Sequence, residues 1–298
     1  MSQLTINSSP RQKGHGQGGE LVSQYALYHI QKRLEKHPSF NDNIENAFKE
    51  TFVAVDQDLR DEPLIEVRYA GYEITTGARK LCVFVCLHRL MCVLLCLCIE
   101  PKKPLYAGTT ACVALLREGR LTVSSAGDSR AVLARSKEGG LWQAIDLSKD
   151  HNPDVAEEQS RIEEKGGFVS PPPEEGLSAR VWLDADFTQI GLAMSRSIGD
   201  HAVKHVGVIA EPVVSHHDVQ DNDEFMVLAS DGVWEFISSD EAVEIVGNMI
   251  AQGASKACQA LIEAAANRWH KEEGDYRDDI TALVVRLRNV WDATTSLK

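Results

Sequence analysis

Three apolar runs of this chain each meet aspartate residues at one end, and this repeated arrangement constrains the fold more than any other feature. The runs and their acids are Leu121–Ala126 with Asp128, Phe225–Ala229 with Asp231, and Ile280–Leu287 with Asp278 and Asp279. Short, wholly apolar runs are typical of buried β-strands. The turn sequence around Asp128 predicts that residues 131–134 form a returning strand. We therefore expect the acids to gather at one rim of a β structure.

Aspartates placed in this way indicate a metal site. Carboxylate oxygens are the ligands that hard divalent cations such as Mg²⁺ and Mn²⁺ prefer. A single Asp-Gly or Gly-Asp-Ser sequence is more often an ordinary turn. The hypothesis therefore depends on the three strand ends meeting in space.

Composition and charge limit the partners of the chain. Its 298 residues are 43% hydrophobic and 25% charged, which is ordinary globular usage. The formal net charge of -13 disfavours nucleic acid or an anionic membrane surface as the main partner. Residues 1–19 are polar and lack the apolar core of a secretory signal. We expect a monomer in the cytoplasm, the nucleus or both.

Four stretches have the pattern of helices. Apolar residues recur at helical spacing over 21–34 and 44–59. Ser238, with a glutamate three residues later, predicts a capping box that opens a helix over 242–251. Ser255 is predicted to cap a further helix.

Eight segments, in order along the chain, resemble the metal-dependent protein Ser/Thr phosphatases of type 2C, the PPM family. They lie at 14–24, 106–116, 126–133, 150–169, 190–204, 208–214, 228–236 and 277–285. The resemblance implies an α+β fold over residues 13–290, a four-layer α-β-β-α sandwich of two antiparallel β-sheets flanked by helices. It also implies that residues 171–176 belong to a flap loop that shapes substrate access.

The same resemblance implies a mechanism and a set of site residues. Two Mg²⁺ or Mn²⁺ ions, with a third held more loosely, would activate a water that attacks phosphoserine or phosphothreonine in protein substrates. The implied metal ligands are Asp231, Asp278 and the backbone carbonyl of Gly14, with Asp128 and Glu235 joining Asp231 at the third ion. His15 is the implied proton donor to the leaving group.

The amino-terminal residues depart from the family pattern. Lys13 stands where the family has an aspartate that bridges two metals, and residues 1–12 contain no acid. We also expect the family's amino-terminal strand, with its phosphate-binding arginine, to be missing, because Arg11 is not at the matching spacing. A lysine about 4 Å from a cation costs several kcal/mol even at an effective dielectric near 20. We therefore expect impaired activity; the alternative is a catalytically inactive pseudophosphatase that binds phosphoproteins.

Residues 67–103 are a second departure, because the family usually has a short linker there. The segment is rich in leucine and valine and holds five of the seven cysteines, namely Cys82, Cys86, Cys92, Cys96 and Cys98. A zinc site is disfavoured because paired CxxC spacing is absent. A membrane span over Leu81–Ile99 has a suitable length, but an arginine near its centre costs about 2.5–3.5 kcal/mol.

A third interpretation treats residues 67–103 as a translated intron, since leucine, cysteine, phenylalanine and valine are what pyrimidine-rich intron ends encode. We favour this interpretation, with a genuine insertion as the alternative. On either view an exposed run of this apolarity promotes aggregation. Its deletion is therefore expected to raise solubility and thermal stability.

Overall fold

Runs of consecutive strands are separated by helices along the chain. The computed structural model describes residues 5–9, 17–61, 81–86, 89–98, 107–172 and 178–287. The helices are α1 (Gln17–Lys36), α2 (Ile44–Asp61), α3 (Ala156–Glu164), α4 (Asp231–Trp234), α5 (Ser239–Met249) and α6 (Ala254–Glu273). The strands are β1 (Thr5–Ser9), β2 (Leu81–Cys86), β3 (Arg89–Cys98), β4 (Gly108–Arg117), β5 (Arg120–Ala126), β6 (Arg130–Ser136), β7 (Trp142–Asp146), β8 (Phe168–Ser170), β9 (Arg180–Trp182), β10 (Ile198–Gly199), β11 (Val213–Asp218), β12 (Asp223–Ala229) and β13 (Ile280–Arg286).

The strands form two large antiparallel sheets. The first has the order β1-β13-β12-β6-β7 and the second the order β11-β5-β4-β3-β2, with β10 also paired to β4. In the first sheet Ala229, the last residue of β12, pairs with Ala282 of β13, and Ser9, the last residue of β1, pairs with Ile280. β12 therefore ends, and β13 begins, at the same edge of the sheet.

The apolar side chains of each sheet divide between two cores. Along β4, Ala111, Val113 and Leu115 pack with α1 and α2, whereas Cys112, Ala114 and Leu116 pack against the other sheet. β12 and β13 alternate in the same way between the sheet interface and the layer of α5 and α6. Both faces of these strands are buried, which explains the uninterrupted apolar residues of Phe225–Ala229 and Ala282–Val285. The predicted α-β-β-α sandwich is confirmed.

The predicted helices are found, with one wrong cap. α1 and α2 cover the two amino-terminal patterns, and Ser238 caps α5 by accepting a 3.2 Å hydrogen bond from the Glu241 backbone N–H. Ser255 does not cap α6, because that helix begins at Ala254 and its N-cap is Gly253. A glycine with φ of 112° makes the tight entry there.

The turn at residues 127–129 does not form the predicted hairpin. β5 lies in the second sheet, and β6, which follows the turn, pairs with β12 and β7 in the first. Gly127 has a φ of 114°, and a Cβ there would lie 2.4 Å from the Thr110 side chain. The chain therefore crosses between the sheets at this turn, and only a glycine fits the crossing.

Two expectations about the departures from the family pattern are wrong. The backbone of Thr5–Ser9 forms β1, an edge strand antiparallel to β13, so an amino-terminal strand is present. Residues 67–103 contain β2 and β3, and β3 pairs with β4 from Leu90↔Leu116 to Cys98↔Gly108. The expectation of an unpaired, exposed run is therefore wrong for β2 and β3, whose backbones belong to the second sheet.

The membrane interpretation of Leu81–Ile99 assumes a helix, whereas residues 81–86 and 89–98 form the strands β2 and β3. Within the described residues, no helix is long and apolar enough to span a bilayer. The side chains of the five clustered cysteines, and so the zinc interpretation, lie outside what the structure describes.

Candidate active site

A cavity of about 590 Å³ lies at the edge where β12 ends and β13 begins. Most of the charged residues around it are acidic. The acids are Asp128, Asp150, Asp154, Asp231, Glu235, Glu273 and Asp278, and the basic residues are Arg130 and Arg180. Three separate strand ends thus contribute carboxylates to one space, as the sequence predicts.

Asp128 follows β5 and is almost fully buried, at 7% exposure. Its Oδ1 atom is buried and has no hydrogen-bond partner among the residues that the structure describes. Burial, followed by the charges of Asp231, Asp150 and Asp278, raises the pKa of Asp128 well above its usual range. Ionising this carboxyl group is therefore costly unless a positive charge lies beside it.

Asp231 and Asp278 are brought together by the contacts between the ends of β12 and β13. The Ser230 N–H donates to the Thr281 carbonyl oxygen at 3.0 Å, and the Thr281 N–H donates to Ser230 Oγ at 3.2 Å. Gly232 then packs so closely that a Cβ would lie 2.2 Å from the Asp279 carbonyl oxygen. A larger residue at position 232 would push the two acidic segments apart.

Glu235 lies one helical turn after Asp231 and is partly buried. Burial raises its pKa, and the negative charges of Asp231 and Asp278 raise it further, to about 7. The pKa of this glutamate therefore reports the same crowding of acids as that of Asp128.

Arg130 is held at the cavity wall by Asp150, by Trp234 and by Ser239, whose Oγ accepts from Arg130 Nη1 at 3.1 Å. Its Nε and Nη2 atoms donate to the two oxygens of Asp150 at 2.9 and 2.6 Å. Its guanidinium lies over the Trp234 ring, 5.2 Å from the ring centroid. Arg180 reaches the cavity from β9, and it donates to the Gly191 carbonyl oxygen at 2.6 Å.

The structure gathers four of the six residues that the resemblance implies. Asp128, Asp231, Glu235 and Asp278 all line the cavity, and their role as metal ligands stays a prediction. Gly14 and His15 lie outside the described residues, as do Lys13 and most of the predicted flap loop.

Sequence reasoning missed Arg130, Asp150 and Arg180. Arg130 and Asp150 each stand within a segment already recognised, two residues after Asp128 and at the start of the DHNP sequence. Only their pairing across the fold shows that they belong to the site. Nothing in the local sequence distinguishes Arg180.

The donor chemistry of the cavity fits a divalent cation. The acids offer oxygen atoms, and one buried oxygen of Asp128 has no hydrogen-bond partner among the described residues. A cation would also offset the repulsion that, together with burial, raises the pKa values of Asp128 and Glu235. Within the described part of the chain, however, no three His, Cys, Asp or Glu side chains form a ready metal-binding group. These acids therefore fit a cation in charge and donor type without completing a coordination shell.

Comparisons with known proteins agree with this arrangement. A family model described as "Protein phosphatase 2C" matches residues 98–274. "Probable protein phosphatase 2C 12" of Oryza sativa subsp. japonica is 43% identical over 187 residues, covering 62% of this chain and 47% of that protein. "Probable protein phosphatase 2C 64" of the same organism is 32% identical over 296 residues, covering 95% of this chain and 60% of that protein. The chain thus spans only about half the length of these curated relatives.

A solved structure shares the fold. The crystal structure of a serine-threonine phosphatase 2C from Toxoplasma gondii matches with a TM-score of 0.66 and 21% identity. The match covers 91% of this chain and 82% of that one.

Proposed function

We propose, because this chain belongs to the protein phosphatase 2C family, that it is a metal-dependent hydrolase of phosphoserine and phosphothreonine in proteins. The observation that carries the proposal is the cavity in which Asp128, Asp231 and Asp278 meet. Carboxylates crowded together without a counter-charge destabilise a fold. Their presence in one buried space is expected where a site serves cations, not where a fold serves binding alone.

The family depends on metal ions, and we propose Mg²⁺ or Mn²⁺ for this chain because the available donors are oxygen atoms. Two ions, with a third held more loosely, follow from the family resemblance. A bound divalent ion supplies an activated water and offsets negative charge on a phosphoryl group. Asp231, Asp278 and the Gly14 carbonyl would hold the pair, and Asp128 with Glu235 would help to hold the third.

The remaining residues of the cavity would act on the substrate. Arg130 and Arg180 place positive charge on the cavity wall, where it attracts the phosphate of a phosphoprotein. Asp150 fixes the direction of the Arg130 guanidinium by a two-point contact. His15 would donate the proton that the departing Ser or Thr oxygen requires, as the family resemblance implies.

Lys13 favours a second candidate function. A lysine at the family's bridging aspartate removes a ligand and adds a like charge beside the cations. The chain would then be a pseudophosphatase that binds phosphoproteins without turnover.

Hydrolysis of a phosphothreonine peptide by three forms of the chain separates the two functions. We expect weak, Mn²⁺-dependent hydrolysis by the parent, loss of it in Asp231→Asn, and tighter Mn²⁺ binding in Lys13→Asp. The gain in metal affinity of Lys13→Asp should exceed its gain in rate, because the family's phosphate-binding arginine is still missing. If Lys13→Asp binds both Mn²⁺ and the peptide without turnover, the chain is a binding protein and the proposed hydrolase function is wrong.

A further inference from the structure

The turn that carries Asp128 is held by contacts on both of its sides. Gly127 has a left-handed φ of 114°, and among the described residues the buried Oδ1 atom of Asp128 has no hydrogen-bond partner that would anchor the side chain. The direction of this carboxylate is therefore set by the backbone of the turn. Whatever fixes the Gly127 peptide also fixes Asp128.

His151 makes that contact. The ring is buried, at 4% exposure. Its Nδ1 atom lies 2.9 Å from the Gly127 carbonyl oxygen and 3.2 Å from the Gly127 nitrogen. The His151 backbone N–H donates to the same carbonyl at 3.0 Å. In either neutral tautomer, Nδ1 can therefore hydrogen-bond to Gly127.

A buried network holds His151 from the other side. The Ser195 N–H donates to the His151 carbonyl oxygen at 2.8 Å, and Ser195 Oγ lies within hydrogen-bond distance of the same carbonyl and of Glu158. Glu158 in turn accepts hydrogen bonds from Arg161 and Arg196. The histidine is thus fixed by the segment that joins β9 to β10 and by α3, and it is not free to follow movements of the turn.

The residue before His151 holds the other end of the same turn. Asp150 makes its two-point contact with Arg130, three residues after Gly127. Asp150 and His151, which are adjacent in one loop, therefore hold the turn on both sides of Asp128. Neither contact involves the Asp128 carboxylate itself.

We propose that His151 is a positioning residue, which holds the Gly127 peptide through Nδ1 and thereby directs the Asp128 carboxylate into the cavity. The consequence for metal affinity rests on the proposed function. Residues that orient metal ligands typically change affinity or activity by about 10- to 100-fold when they are replaced. His151 is expected to act in this way although it lies outside the cavity lining.

Two substitutions of similar polarity separate positioning from simple packing. The amide of His151→Asn can occupy the place of Nδ1 and keep the contact, whereas the longer His151→Gln places its amide near Nε2 and loses it. We expect Kd for Mn²⁺, measured by calorimetry on the full chain, to rise about tenfold or more in His151→Gln. In His151→Asn it should stay near the parent value. If both variants bind Mn²⁺ like the parent, or both lose affinity equally, the proposal is overturned.

Hydrogen exchange, measured without metal, tests whether His151 holds the Gly127 peptide. Amide hydrogen exchange at residues 127–130 should be about fivefold faster in His151→Gln than in His151→Asn, as expected for one lost hydrogen bond. Equal exchange in the two variants overturns the proposal. If the parent chain binds no Mn²⁺, the proposed function fails, and this comparison alone decides the role of His151.

If His151→Gln does not fold, a less disruptive substitution can test the same role of His151. Ser195→Ala removes the hydroxyl beside the His151 carbonyl but keeps the ring and the backbone hydrogen bond. We expect it to speed exchange at residues 127–130 and to weaken Mn²⁺ binding less than His151→Gln would. Unchanged exchange in Ser195→Ala would then count against the proposal.

Discussion

Replacing Glu235 by glutamine should stabilise the metal-free protein at alkaline pH and have little effect in acid. The folded-state pKa of Glu235 is about 7, above the ordinary 4.5 of a glutamate, because of burial and the charges of Asp231 and Asp278. A group whose pKa is raised on folding favours the folded state in its protonated form. Its contribution to stability is complete below pH 4.5 and is lost as the pH rises through 7.

The size of the effect follows from the pKa difference. A rise from 4.5 to about 7 corresponds to at most about 3.4 kcal/mol, at 1.36 kcal/mol for each pKa unit. Because Glu235 is only partly buried, solvent screening reduces this to about 1–2 kcal/mol. For a domain of this size, each kcal/mol moves the melting temperature by about 2–4 °C. We therefore expect Glu235→Gln to raise the Tm by roughly 2–8 °C above pH 8.

The assay is thermal unfolding with a chelator present, at about pH 5.5 and about pH 8.5, on either side of the folded pKa. Glu244→Gln, an exposed position on α5, removes the same charge and controls for the net charge of the whole chain. Saturating Mn²⁺ should shrink or reverse the gain, since the metal stabilises the parent more than a variant that lacks one carboxylate. An equal Tm change at both pH values, or the same change in Glu244→Gln, would refute electrostatic crowding at this rim.

Two further predictions concern the scaffold. Glu158→Gln should lower the free energy of unfolding by about 3–5 kcal/mol in urea titrations. The reason is that the Arg161 and Arg196 guanidinium groups lose their buried counter-charge. A loss below about 1 kcal/mol would show that solvent already screens these ion pairs. Deleting residues 67–103 should lower the Tm and increase light scattering, because the edge of β4 loses its partner β3. A higher Tm in the deleted chain would support the opposite expectation, that the segment is an exposed run.

Much of the layered architecture could be predicted because burial on both faces leaves a direct trace in the sequence. β12 is apolar from Phe225 to Ala229 and β13 from Ala282 to Val285, since each lies between a helix layer and the other sheet. α2 carries an apolar stripe because it covers the second sheet on one side only. The acids at the strand ends interrupt this pattern, and for that reason they were visible as candidate site residues.

Pairings between distant residues left no such trace. The sequence around Asp128 reads as a hairpin turn, and only the pairing of β6 with β12 shows that the chain changes sheets there. The contact of Asp150 with Arg130, and that of His151 with Gly127, join residues about twenty positions apart that are ordinary in their local sequence. Contacts of this kind depend on the whole fold and cannot be predicted from a single sequence.

The segment 67–103 shows most clearly what a single sequence cannot predict. A strand covered on both faces, a membrane span and a translated intron all give a continuous apolar run, so composition cannot distinguish them. The structure shows how the backbone of the segment folds, whatever the origin of its sequence. The β4 edge opposite β5 offers unpaired backbone groups along its length, and β3 satisfies them from Leu90↔Leu116 to Cys98↔Gly108. An apolar segment that pairs over the full length of a central strand completes a sheet, and its removal would leave that strand as an exposed, aggregation-prone edge.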